Sequence, residues 1–257
     1  LAPALAAGNC VVLKPAEQTP QIAAWATAVL HEAGIPRDVL QLLPGRGETT
    51  GATLIGLPGL QGVLFTGSTT VARHIQGELA ERVDDTGRPL TLIAETGGLN
   101  TMLVDSSALP EQVVLDVMTS AFDSAGQRCS ALRLLCLQDD IADRVLTMLA
   151  GAMAELSIGD PALLSTDIGP VIDAAAQKGL LEHIEKMQQE AKLIYQVTLS
   201  AQTNTGSFVA PTAFEINNIS QLKREVFGPI LHVVRYKLEN LNQVLDAINS
   251  TGYGLTL

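Results

Sequence analysis

The chain has 257 residues, enough for one large domain or two modest ones, and is 47% apolar and 17% charged. Its net charge of −11 and its aromatic content of 4% argue against nucleic acid as a partner, since an acidic surface repels phosphates and few rings are available for base stacking. The apolar content excludes disorder, and no stretch approaches the ~20 apolar residues that a membrane-spanning helix needs.

In chain order, the opening LAPALAAGNC has no initiating Met and no basic start, and it runs straight into Val11-Val12-Leu13-Lys14. This rejects a signal peptide and reads as a piece of a longer protein. Residues 10–13 predict a short strand. Residues 20–33 predict a helix with Ile22, Ala23, Ala26, Val29 and Leu30 on one stripe, ended by Gly34. Strands follow at 39–43, 63–65 and 90–94, separated by a short helix from Glu48 and a longer one over 70–83. This alternation predicts one parallel sheet covered on both faces.

The second part alternates less regularly. Strands are expected at 102–104, 132–137, 192–197, 208–214 and 230–236, and helices at 110–122, 141–156, 174–191 and 241–249. The polar run 198–206 reads as an exposed hairpin connection. The boundary between the two parts falls near Gly97-Gly98, and the apolar end Gly254-Leu255-Thr256-Leu257 reads as a second truncation.

Three cysteines do not make a disulfide framework in a chain of this length, and four scattered histidines without HExxH or CxxC make a zinc site improbable. Six stretches could carry chemistry. Gly45 to Gly51 (GRGETTG) lies between a strand and a helix but misses the GxGxxG spacing, so it reads as a glycine-rich connection or a pocket wall. Phe65-Thr66-Gly67-Ser68 ends a strand and opens a helix, where free amides and the helix dipole favour an anion; plain capping is the bland alternative. Lys14 and Glu17 follow the first strand and form either ribose contacts or a surface ion pair. Glu95, before Thr96-Gly97-Gly98, is placed to face a cleft as a general base or to be a turn-side acid. Cys129 lies in a glycine-containing loop beside Arg128 and is a candidate nucleophile, whereas Cys10 and Cys136 read as buried packing. Glu225 and Phe227, before Gly228-Pro229, form a weak ligand-contact signal.

Each clue is modest alone, but their order and spacing are specific. The stretches ALAAGNCVVLKPAEQTP, FTGST, LIAETGGLN, AFDSAGQRCS, EVFGP and NSTGYGLT resemble the aldehyde dehydrogenase superfamily, which also keeps the 34-residue interval between Glu95 and Cys129. QLLPGRGETTGA, VDSSAL, AFDSAGQRCSALR, IGPVID, FVAPT and FGPILHVVRY are similar to one branch, the L-glutamate γ-semialdehyde (Δ1-pyrroline-5-carboxylate) dehydrogenase part of the bifunctional proline utilization A flavoproteins.

The resemblance implies an α/β fold with a Rossmann-type, parallel-sheet NAD-binding domain over residues 1–97 and an α/β catalytic cysteine domain over 98–257, both truncated. It implies NAD-dependent oxidation of L-glutamate γ-semialdehyde to glutamate in proline catabolism. By matching position Cys129 is the nucleophile, whose backbone N–H helps hold the oxyanion, and Glu95 is the general base. Lys14 and Glu17 match adenosine-ribose contacts, Gly67 and Ser68 pyrophosphate contacts, Glu225 and Phe227 the nicotinamide-ribose and nicotinamide contacts, and Ser130 the substrate carboxylate. Glu17 near the ribose favours NAD over a 2′-phosphorylated cofactor. Expected partners are the small aldehyde substrate, the proline dehydrogenase domain of the same parent chain, which alone carries FAD, and a second copy of the parent in a homo-oligomer. The expected location is cytoplasmic, with peripheral association at the inner membrane through the parent. The family's oxyanion asparagine and its substrate-gripping loop match nothing in the chain, and Leu99 stands where many relatives carry Lys. A catalytically silent NAD-binding or scaffold fragment, or a dehydrogenase for another ω-semialdehyde, remain the alternatives.

Overall fold

A computed structural model describes residues 1–257. The chain divides into two compact units, Leu1–Thr96 and Gly97–Leu257.

The first unit holds α1 (Ala2–Ala6), β1 (Val11–Leu13), α2 (Pro20–Glu32), β2 (Leu40–Leu42), a π-helical turn (Gly47–Gly51) running into α3 (Ala52–Gly56), β3 (Gly62–Thr66), α4 (Thr69–Leu79) and β4 (Thr91–Glu95). Its strands do not form the single covered sheet that their alternation predicts. β1 pairs only with β2 and β3 only with β4, both in parallel. No strand of the chain bridges the two pairs, and Val12, Leu64 and Ile93 are exposed. The apolar stripe expected on α2 is not covered: Ile22 is 61% exposed, Val29 is exposed, and the one buried residue is Thr27, whose hydroxyl donates to the Ala23 carbonyl. α2 lies against the three-residue β2, which is too short to cover a 13-residue helix. A small core forms where Ile75 and Leu79 of α4 meet Leu90. Cys10 is exposed, against the expectation of packing.

The second unit holds β5 (Thr101–Val104), α5 (Pro110–Phe122), β6 (Leu134–Gln138), α6 (Asp139–Ala154), α7 (Ala174–Glu190), β7 (Lys192–Gln196), β8 (Thr212–Glu215), β9 (Ile230–Tyr236) and α8 (Leu241–Asn249). They build a five-stranded sheet in the order β5-β6-β9-β8-β7, parallel except for the antiparallel edge strand β7. β6 is buried at every position, as a central parallel strand must be. α5 buries Val113, Val114, Val117 and Ala121, and α6 buries Ala142, Val145, Leu146, Leu149 and Met153. These are the i, i+3, i+4, i+7 positions of single helix faces.

Two expectations shift here. The strand expected over 208–214 begins at Thr212, because Pro211 has no N–H to give a ladder; the chain before it is tied instead by Val171 N–H to the Ser207 carbonyl and Gln177 Nε2 to the Phe208 carbonyl. The connection 198–206 does join the antiparallel pair, but its 3-10 turn Ala201–Asn204 buries Thr203, so it is not wholly exposed. No helix is long and apolar enough to cross a membrane, and no group of three His, Cys, Asp or Glu is placed to hold a metal ion.

On β9 the buried His232 pairs with the half-buried His183 of α7. His183 Nε2 and His232 Nε2 are 2.9 Å apart, and His232 Nδ1 is 3.2 Å from the Arg133 carbonyl. A carbonyl only accepts, so His232 carries its proton on Nδ1 and His183 donates from Nε2. Burial pushes His183 down to about 4 and His232 down to about 3, so both are neutral near pH 7.

Two outcomes follow from this packing. Leu135→Ala, in β6, should cost about 2–5 kcal/mol in denaturant unfolding, whereas Leu115→Ala, on the outer face of α5, should stay within about 0.5 kcal/mol. The unfolded chain protonates both histidines near the ordinary value of 6.5 while the folded chain resists, so their contribution is complete above that pH and is lost as pH falls toward about 4 and about 3. Unfolding midpoints between about pH 7.5 and about pH 5 should therefore fall, and His232→Leu should flatten that slope; an equal slope in the variant contradicts the assignment.

Candidate active site

In the first unit the candidate residues follow the carboxyl ends of parallel strands. Lys14 follows β1. Its Nζ donates to the Pro15 carbonyl (2.5 Å) and the Gly45 carbonyl (3.0 Å) and pairs with Glu17 at 3.7 Å. Its stem also packs toward Gly51, so the GRGETTG turn wraps this lysine. Ser68 is the N-cap of α4, its hydroxyl accepting from the Val71 amide. Gly67 N–H donates to the Glu95 carbonyl at 3.1 Å, extending the β3–β4 ladder, so the free amides expected at this helix start are not that of Gly67. The amides of Thr69 and Thr70, in the first helical turn, remain without an intrahelical acceptor. Glu95 ends β4 with an exposed carboxylate that has no partner in the chain.

In the second unit the candidates precede the amino ends of β5, β6 and β9. After α5 the chain makes a tight turn in which Ser124 (φ 56°), Ala125 (φ 54°) and Gly126 (φ 64°) are all left-handed. For the two non-glycine residues this backbone costs about 1–3 kcal/mol each. A Cβ on Gly126 would also lie 2.2 Å from the Gly228 carbonyl oxygen, so glycine is required both for the turn and for the approach of the Glu225–Pro229 segment. The turn delivers Cys129 and Ser130 to the surface; the thiol is free and exposed, and Ser130 makes no hydrogen bond within the chain.

The element missed in the sequence is Arg133. It precedes β6 among Leu132, Leu134 and Leu135, and its side chain is 1% exposed. Nη1 donates to the carbonyls of Gly126 (2.6 Å) and Gly228 (3.1 Å). Nη2 donates to the Arg128 carbonyl (3.0 Å) and to Glu225 Oε1 (3.2 Å). The guanidinium also lies 5.2 Å from the centroid of the Phe227 ring, a residue that is 45% exposed. Burial holds the Arg133 pKa below its ordinary value, against the opposing field of Glu225; an arginine remains a cation even so. Arg128 is instead exposed, its Nε on the Ser124 hydroxyl. Asn100, also missed, donates from Nδ2 to the carbonyls of Cys129 (2.7 Å) and Ala131 (2.8 Å). One signal was available for Arg133: a lone charge in an otherwise apolar strand demands buried acceptors.

The structure thus gathers Cys129, Ser130, Glu225 and Phe227 within one unit, and Lys14, Glu17, Gly67, Ser68 and Glu95 within the other.

The chain has recognisable relatives. The model of the aldehyde dehydrogenase family matches residues 1–257. The chain is 57% identical to the bifunctional protein PutA of Escherichia coli, over all of its own length and 20% of the relative's. It is 36% identical to the 1-pyrroline-5-carboxylate dehydrogenase of Geobacillus thermodenitrificans, over 98% of its length and 49% of that protein's. Among solved structures, a mutant of Bradyrhizobium japonicum proline utilization A superposes with a TM-score of 0.93 at 57% identity, covering 99% of this chain and 25% of the other. The chain therefore spans about a fifth of the length of its PutA relatives, and with its whole sequence matched it belongs to the aldehyde dehydrogenase family.

Proposed function

We propose that this chain contributes the reacting cysteine and the cofactor contacts of an NAD-dependent L-glutamate γ-semialdehyde dehydrogenase acting in proline catabolism. The observation that carries the reading is the Cys129 loop: an exposed thiol on a turn held from beneath by Arg133 and Asn100, both of which are buried. The names of the PutA and 1-pyrroline-5-carboxylate dehydrogenase relatives support the substrate.

The donor set fits a dinucleotide. α4 opens with unpaired amides behind the Ser68 cap, suited to a pyrophosphate. Glu17 and Glu225 are acceptors for ribose hydroxyls, Lys14 is a donor beside Glu17, and Phe227 offers a half-exposed ring to a flat heterocycle. When bound, NAD supplies the hydride acceptor. The contribution of Gly67 in this reading is steric, since its amide is committed and a Cβ there would strike the Phe65 ring.

Chemically, the Cys129 thiolate adds to the aldehyde carbon, and the oxygen that becomes an alkoxide is held by the Cys129 amide, which has no acceptor within the chain. After oxidation the acyl group remains on sulfur as a thioester. Glu95, whose carboxylate is exposed and unpaired, takes a proton from the water that attacks it, releasing carboxylate and thiolate. Ser130 contacts the substrate carboxylate. The proline dehydrogenase domain with its FAD, a homo-oligomer and a cytoplasmic location belong to the same reading of the parent protein.

In the complete gene product, Cys129→Ala should lower aldehyde oxidation by roughly 10³-fold or more, and Glu95→Gln should keep a first-turnover burst of NADH while steady-state turnover falls about 10²–10⁴-fold. Undiminished turnover in the cysteine variant removes the assignment. Ser130→Ala should raise KM about tenfold for the semialdehyde but leave a simple alkyl aldehyde unaffected; equal effects on both would exclude a carboxylate contact.

A further inference from the structure

We propose that Arg133 is a positioning residue that locks the peptide carrying the Cys129 amide and the Glu225 carboxylate into one frame. The proposal deepens the reading above and rests on its assignment of Cys129 as nucleophile and Glu225 as a cofactor contact.

The peptide between Arg128 and Cys129 is trans, since the chain contains no cis bond. In a planar trans peptide the N–H points opposite to the C=O. The Arg128 carbonyl points at Arg133 Nη2, so the Cys129 N–H is directed away from the guanidinium and left free for a developing oxyanion. The next peptide is held by Asn100 Nδ2 on the Cys129 carbonyl. Both peptide planes flanking the thiol are thus pinned by buried side chains.

The same Nη2 holds Glu225 through Oε1, while Oε2 abuts Gly97, where a Cβ would lie 1.6 Å from it. Arg133 thus holds one oxygen of that carboxylate while the missing side chain of Gly97 leaves room for the other. Nη1 ties the Gly126 and Gly228 carbonyls, so the segments on either side of the fork cannot move independently. A planar fork of five donors can span four acceptors on two segments, which the single nitrogen of lysine cannot.

The test is made in the complete gene product. Arg133→Lys keeps the charge and loses the fork. It should raise the Kd of NAD, measured by equilibrium titration without aldehyde, about tenfold or more, and slow burst-phase hydride transfer by a similar factor. Combined with Glu225→Ala, its effect on Kd should be absorbed, leaving the double variant equal to Glu225→Ala alone. An arginine needed only for stability would lower Tm without these changes; wild-type Kd and burst rate in a folded Arg133→Lys, or effects that multiply in the double variant, overturn the proposal.

Glu225→Ala alone provides a second measurement should Arg133→Lys fail to fold. Releasing one arm of the fork should change the rate of Cys129 alkylation by iodoacetamide by about threefold or more, and an unchanged rate counts against the coupling. Failure of the underlying reading looks different: Cys129→Ala would then retain hydride transfer, or Glu225→Ala would bind NAD like wild type while the alkylation rate still responds.

Discussion

A guanidinium withdrawn from water must replace its hydration with acceptors inside the protein, or the burial costs several kcal/mol. In the second unit the loops are arranged around that demand. Three backbone carbonyls and one carboxylate turn inward to Arg133, and they come from two segments far apart in sequence, at Gly126–Arg128 and Glu225–Gly228. The two terminal nitrogens meet all four of these acceptors, while Nε is buried without a partner. The left-handed path through Ser124, Ala125 and Gly126 becomes intelligible in this light. It is the backbone route that lets the Gly126 and Arg128 carbonyls face the same point while the thiol faces solvent.

The sheet supplies the rigid floor. Arg133 and Asn100 stand immediately before β6 and β5, and Gly228-Pro229 immediately before β9, so the loops they hold inherit the positions of three adjacent parallel strands. From below, the main chain at Arg133 is fixed as well, because its carbonyl receives both the backbone N–H and the imidazole of His232. The first unit works from the opposite strand ends, with Lys14, Ser68 and Glu95 at or after the carboxyl ends of β1, β3 and β4. Open α/β sheets usually bind ligands at carboxyl ends. That rule locates the candidates of the first unit and would have missed those of the second.

Strongly periodic segments were legible from residues alone. α5, α6 and α7 carry apolar positions at helical spacing and bury those positions. α2 has an equally clear stripe, yet Ile22 and Val29 are exposed. Periodicity reports which face of a helix is apolar; whether that face is covered depends on what the fold lays against it, and β2 is only three residues long. The same distinction explains the two strand pairs of the first unit, since alternation predicts parallel strands but not how many meet in one ladder.

For the candidate site, the order of motifs along the chain was enough to single out Cys129, Glu95, Glu225 and Phe227 and to indicate the family, because a cysteine, a carboxylate and glycine turns at set intervals are features of covalent structure. That order says nothing of partners. Only the fold could show that the Gly67 amide is spent on the Glu95 carbonyl, that Arg128 faces solvent while Arg133 is sealed beneath the thiol loop, and that Gly97 leaves room for a carboxylate more than a hundred residues away. Residue type and spacing are local properties of the chain, whereas a hydrogen-bond partner is settled by which donors and acceptors are left facing each other once the apolar core has closed.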